Sequence, residues 1–195
     1  MLIRILEKRE LHRAKALAQE YLGADLARFS VMSQVYPELF VGCFSAEELI
    51  GVAYGYPYFM VRPEEAHKVL LQGIAVRWDY AGVGRGSKLL RFFENQVMKR
   101  GFSVVTLGAA EGYVERFYLK NNYEAVSYRV VLKGDWLHIH QQAIPYPIIR
   151  MVQEGRYTIV YIPSSGYNLQ EKEAVRDFFC AEQVNYIFEK QLQVV

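Results

Sequence analysis

Cysteine is almost missing from this chain, with two in 195 residues. Cys43 in "LFVGCF" and Cys180 in "FFCAEQ" sit in apolar surroundings and match no metal-ligand spacing, so buried free thiols are expected rather than a disulfide. Any run of 18 or more apolar residues is missing too, and the first ten residues, "MLIRILEKRE", carry a charge at the fourth. Neither a membrane span nor a signal peptide is expected, and the protein is read as cytoplasmic. Charge of one sign is also lacking. Lys plus Arg total 23 and Asp plus Glu 21, intermixed along the chain for a net charge of +2, which leaves no basic stripe for nucleic acid. There is no internal repeat and no low-complexity tract.

What the chain does have is a 52% hydrophobic content, enough for a sizeable core, arranged in short periodic segments. "LIRIL" (2–6) reads as a strand. Leu11, Ala14, Ala18, Tyr21 and Leu22 then recur at helical spacing up to Gly23, and residues 24–36 keep some helical character. "LFVGCF" and "ELIGVAYGYPYF" read as strands joined by the turn "SAE", and "HKVLLQGIAV" (67–76) as a longer strand. Leu90, Phe93 and Val97 mark the inner face of a helix ending at Gly101. After it come the strand "FSVVTLGA" (102–109), the short helix "GYVERFYLKNN" and the strand "YEAVSYRVVLKG". A hairpin region leading into β-α-β units predicts an α/β class with a mixed parallel and antiparallel sheet flanked by helices. From residue 134 the texture changes. "DWLHIHQQAIPYP" predicts an irregular arm, "IIRMV" and "YTIVYI" around "QEGR" a second hairpin, and Ala174, Val175, Phe178, Ala181, Val184, Ile187 and Phe188 a long helix. Residues 1–133 are expected as one domain. Residues 134–195 are then a C-terminal extension docked on that core or on a partner subunit, a homodimer contact being the second use of its apolar face.

The stretch "DYAGVGRGSKLLRFFE" places three glycines in five positions at the mouth of a helix. The first amides of a helix lack intrahelical partners and carry the positive end of its dipole, so bare backbone there attracts anions such as phosphate. A dinucleotide fingerprint needs glycine where Ser87 stands, and a nucleoside-triphosphate loop needs Gly-Lys together, which Ser87 interrupts. A third pattern fits. "GIAVRWDYAGVGRGSKLL" resembles the acetyl-CoA-binding motif of the GNAT N-acetyltransferase superfamily, in which a strand ending in aliphatic-Ala-Val precedes a glycine loop. The resemblance covers roughly residues 1–133 and implies a GNAT-like fold. It implies that Gly82, Val83, Gly84, Arg85, Gly86 and Ser87 hold the pyrophosphate and that Ile74, Ala75 and Val76 hold the pantetheine arm and polarise the thioester carbonyl. Ala81 stands where the family usually has Arg or Gln, and Arg85 is expected to return some of that charge.

"EGYVERFYLKNNYEAV" resembles the family's downstream motif at Phe117, Tyr118 and Lys120, with Glu111, Val114 and Asn122-Tyr123 as departures. The resemblance implies that the Tyr118 hydroxyl protonates the departing CoA thiolate. The chemistry is balanced, since a thiol titrates near ~8.5 and a phenol near ~10. The strand before the loop carries no carboxylate to serve as base. Glu111, or Glu65 and His67 through water, are the candidates.

Tyr54, Tyr56 and Tyr58 alternate along one strand, so one face of it could either line a pocket for an apolar or cationic amine or simply be covered by aromatic rings. His138 and His140 alternate too, but no third ligand accompanies them and no metal is expected. The resemblance thus implies an enzyme that uses acetyl-CoA as cosubstrate and acetylates a primary amine of a small molecule or peptide, and the charge and hydropathy patterns lead to no expected nucleic-acid or membrane partner. A CoA-binding module without catalysis and a transferase of longer acyl chains are the alternatives.

Overall fold

A computed structural model describes residues 1–23, 26–60, 62–109, 112–134 and 144–193. Glu111, His138 and His140 lie outside the described residues. The chain resolves into two compact units, Met1–Thr106 with Gln191–Val195, and Leu107–Lys190.

The first unit contains β1 (Leu2–Ile5), α1 (Leu11–Leu22), α2 (Phe29–Val35), β2 (Phe40–Ser45), β3 (Glu48–Pro57), β4 (Lys68–Val76), α3 (Arg85–Lys99) and the start of β5 (Val104–Ala109). Its strands run β1-β2-β3-β4-β5, with three antiparallel pairings and a parallel one between β4 and β5. The predicted mixed sheet is therefore present. α1 buries Ala14, Leu17 and Ala18 and ends at Gly23 in the left-handed conformation (φ 57°), where glycine meets no Cβ penalty. α3 buries Leu89, Leu90, Phe93 and Val97 completely, an i, i+1, i+4, i+8 stripe. Each such side chain contributes about 1.5–3 kcal/mol of burial, and this anchors the helix whose first turn carries the glycines.

The second unit contains the end of β5, α4 (Tyr113–Lys120), β6 (Glu124–Lys133), β7 (Arg150–Glu154), β8 (Tyr157–Pro163), α5 (Leu169–Phe179) and β9 (Gln183–Gln191) up to Lys190. Four strands run β9-β6-β8-β7, all antiparallel. The predicted hairpin is β7–β8. The predicted long helix is two elements. α5 starts at Asn168, whose side chain accepts from the amides of Gln170 and Glu171, and stops at Cys180 with φ 47°. Beyond it Val184, Tyr186 and Phe188 are fully buried in alternation, the period of a strand, and β9 pairs with β6 from Gln183 to Glu189. The helical spacing of Val184, Ile187 and Phe188 was real, but pairing with β6 outweighs it. Phe178, expected on the inner face, is 41% exposed, while Val175 and Phe179 are buried. Cys43 is buried as expected, and Cys180 is exposed because it lies in the turn that ends α5.

Candidate functional site

β4 has two different edges. Its register with β3 runs from Val69 to Val76, whereas its ladder with β5 covers Lys68, Val69 and Leu70 alone. The Arg77 amide donates to the Ile50 carbonyl at 2.9 Å, which makes this pair hydrogen-bonded. By the alternation of an antiparallel ladder, Ala75 and Gly73 also turn their main-chain groups to β3, while Ile74 and Val76 turn theirs to the opposite edge. No described residue of β5 pairs with that edge beyond Leu70. Two amides and two carbonyls of β4 are thus presented side by side, where an extended amide-bearing arm can add to the sheet edge.

The chain then makes a short turn over Trp78–Tyr80 and enters α3 through the glycines. Gly82 (φ 82°) and Gly84 (φ 78°) both occupy the left-handed region, and a Cβ built on either meets nothing within 4 Å. The glycines are therefore required by backbone conformation, and the space in front of them is open. Gly84 is the N-cap, and the first intrahelical bond comes from the Lys88 amide to its carbonyl at 3.1 Å. The amides of Arg85, Gly86 and Ser87 precede that bond and have no intrahelical partner. The loop is held from the side by Arg85, whose guanidinium donates to the Tyr80 carbonyl at 2.8 Å and lies 5.5 Å from the Tyr80 ring centroid. No described carboxylate pairs with Arg85, so its charge remains at the loop. The acids nearby are neutralised elsewhere: Asp79 accepts from Arg77 at 2.8 Å, and Glu48 pairs with Arg77 and accepts from the Tyr80 hydroxyl at 3.1 Å. Ala81 contributes its amide to the turn, donating to the Trp78 carbonyl at 3.2 Å. The arrangement is a cationic, donor-lined mouth suited to a phosphate group.

Of the three tyrosines, Tyr54 and Tyr56 are buried on β3 and Tyr58 lies beyond the strand end, in a short helical turn. A register shift at Tyr54/Gly55 sets Tyr54 opposite Gly73 and Gly55 opposite Leu71, so Gln72 is the extra residue of a bulge in β4. Tyr54, Tyr56 and Gln72 line a recess of about 260 Å³ together with Arg28 and Phe29 of the α2 region and Phe40. Gly73 is what lets the Tyr54 ring lie there, for a Cβ on it would come within 2.7 Å of the ring. The Tyr54 hydroxyl is buried without a partner among the described residues, and burial pushes its pKa up to about 12. Sequence reasoning missed Gln72 and Arg28. The one available signal was the polar Gln72 in an otherwise apolar "VLLQGIAV".

In the second unit, Tyr118 sits on α4, 5% exposed, against the rings of Phe117, Tyr123 and Phe188. Burial raises its pKa, so the phenol keeps its proton, and no described residue hydrogen-bonds its hydroxyl. Among the candidate bases, Glu65 is committed to ion pairs with Arg62 and Lys68, both at 2.6 Å, and His67 is exposed. Among the described residues there is no group of three His, Cys, Asp or Glu able to hold a metal ion, and no helix long and apolar enough to cross a membrane.

The sequence model of the acetyltransferase (GNAT) family matches residues 6–123. No curated protein matches the chain in sequence. Among solved structures, Ard1 from Thermoplasma volcanium is similar over 99% of this chain and 98% of its own, with a TM-score of 0.59 at 16% identity. The ribosomal-protein-alanine N-acetyltransferase from Brucella melitensis is similar over 84% of this chain and 99% of its own (TM-score 0.54, 15% identity). Arabidopsis thaliana Naa50, in complex with the bisubstrate analogue CoA-Ac-MVNAL, is similar over 84% and 97% (TM-score 0.53, 14% identity).

Proposed function

Since the chain belongs to the acetyltransferase (GNAT) family, we propose that it binds acetyl-CoA at the α3 glycine mouth and the free edge of β4 and transfers the acetyl group directly to a primary amine. The observation that carries this reading is the open space before Gly82 and Gly84, where bare amides meet the start of α3. The residues present fit the cosubstrate. Amides of residues 82–87 and the Arg85 charge suit the pyrophosphate, and the outward main-chain groups of Ile74 and Val76 suit the amides of the pantetheine arm. An amide of β4 donating to the thioester carbonyl makes its carbon more electrophilic.

The transfer balances without a further reagent. The lone pair of a neutral amine forms the C–N bond, the C–S bond breaks, and one amine proton ends on the CoA sulfur to give amide and thiol. We assign the proton delivery to Tyr118 by its match to the family's motif. A neutral phenol is the right protonation state for a donor, and its raised pKa keeps it so across the neutral range. The Arabidopsis neighbour is in complex with the bisubstrate analogue CoA-Ac-MVNAL, which supports a CoA-dependent transfer to an amine.

Calorimetric titration with acetyl-CoA, with CoA and ATP as controls, tests the site, and thiol release in the presence of amines tests the reaction. Micromolar acetyl-CoA binding with much weaker ATP binding is expected. No binding would remove the glycine mouth as a CoA site. Binding without thiol release for any amine would establish a CoA-binding module, the reading that Ala81 favours.

A further inference from the structure

The recess beside the β4 bulge is closed on its apolar side by three rings. Phe29 lies 5.0 Å from Phe40 and 4.9 Å from Tyr54, both edge-on, and Phe40 stacks with Tyr54 at 5.9 Å. Its polar side offers donors. The Tyr56 hydroxyl donates to Gln72 Oε1 at 3.0 Å, which uses the carbonyl end of that amide and leaves its NH2 to donate. Among the described residues the Tyr54 hydroxyl has no partner although the residue is 2% exposed, a position at which buried hydroxyls are normally satisfied. Arg28 stands exposed at the rim, its guanidinium carbon 6.0 Å from the Tyr56 ring centroid, and no described carboxylate pairs with it. Donors and positive charge facing an aromatic floor complement a carboxylate joined to an apolar group and repel a second cation. The volume of about 260 Å³ holds roughly nine waters, the scale of one amino acid.

We propose that this recess binds the acceptor, and that the acceptor is a carboxylate-bearing primary amine with an apolar side chain, the size of a single amino acid. The proposal rests on the acetyl-transfer reading above, because Gln72 in the bulge is two residues from Ile74, where that reading places the thioester. It narrows the alternatives for the tyrosine face: Arg28 argues against a polycationic acceptor.

The test measures acetyl-CoA-dependent thiol release with L-phenylalanine, L-phenylalaninamide and 2-phenylethylamine, which share an apolar body and differ in the carboxylate. The expected kcat/KM for L-phenylalanine exceeds both others by about tenfold or more. In Arg28→Ala that ratio falls toward one, and Arg28→Lys recovers part of it. Tyr54→Phe is expected to lower kcat/KM for L-phenylalanine severalfold while melting at the same or a higher temperature, because an unsatisfied hydroxyl leaves the core. A purely structural Tyr54 would instead lower the melting temperature. Equal use of the three amines, use of none, or a ratio unchanged in Arg28→Ala overturns the proposal. Titration with N-acetyl-L-phenylalanine separates the two readings. Binding that Arg28→Ala weakens supports the recess even where acetyl-CoA fails to bind, and no binding overturns it even where acetyl-CoA binds.

Discussion

Replacing Lys172 with methionine tests the physics that holds α4, the helix carrying Tyr118, in the second unit. Lys172 Nζ lies 2.7 Å from Glu115 Oε1, with side chains 3% and 1% exposed, and the Tyr167 hydroxyl donates to Glu115 Oε2 at 2.9 Å. The ammonium is also 5.2 Å from the Tyr186 ring centroid. At an effective dielectric of about 20 a contact of this length is worth about 6 kcal/mol of attraction, most of which offsets the desolvation of both charges. The pair as a whole therefore contributes little net stability. Removing one partner is different: it leaves the Glu115 carboxylate buried without its cation, which costs about 3–5 kcal/mol. For a chain of this length that corresponds to a fall in Tm of roughly 6–20 °C. The double variant Glu115→Leu/Lys172→Met removes both charges, so it is expected to recover most of the loss, short of about 1 kcal/mol for the Tyr167 hydrogen bond. Urea unfolding followed by circular dichroism on the three proteins measures this. A single variant within 1 kcal/mol of the parent, or a double variant less stable than the single, would refute the reasoning. Glu115 and Tyr118 share the buried face of α4 one turn apart, so the single variant is also expected to lower turnover.

Gly84→Val places a β-branched residue at φ 78° before the open space at the mouth of α3, and acetyl-CoA affinity is expected to fall on the order of tenfold or more, read by titration; an unchanged Kd removes the loop from the site. Tyr118→Phe keeps the ring packing against Tyr123 and Phe188 and is expected to cut kcat roughly 100-fold with acetyl-CoA binding intact, since a general acid contributes at least that much. Equal turnover would end its role as donor. Glu10 accepts from Arg4 at 2.6 and 2.7 Å, and that hydrogen bonding holds its carboxyl below the ordinary range near ~4.3. Its folded pKa lies below its unfolded one, so its contribution is full above about pH 4.3 and is lost as pH falls through the folded value. Stability measured from pH 6 down to 2 should therefore decline less steeply in Glu10→Gln, and parallel curves would contradict the assignment.

Most strands and helices, and the glycine mouth, were legible because local signals specify them. The stripe Leu90, Phe93, Val97 has a helical period, and Gly82 and Gly84 stand where the backbone turns to positive φ. The C-terminal segment was not legible. Val184, Ile187 and Phe188 suit a helix as well as a strand, and the deciding interaction is the ladder with β6, whose residues lie more than fifty positions earlier.

What the sequence determined by itself is the order of elements as far as β8 and the glycine-bearing turn into α3, since both depend on neighbours within a turn or two. Only the tertiary structure decided the rest. It joined Arg28, Tyr54 and Gln72 around one recess, buried Glu115 against Lys172 across 57 positions, and left Cys180 exposed in a turn. Contacts between residues so far apart leave no period in the chain to read. They are set by which faces meet when apolar surface is buried, and the polar groups trapped there acquire partners, or lack them, as a consequence.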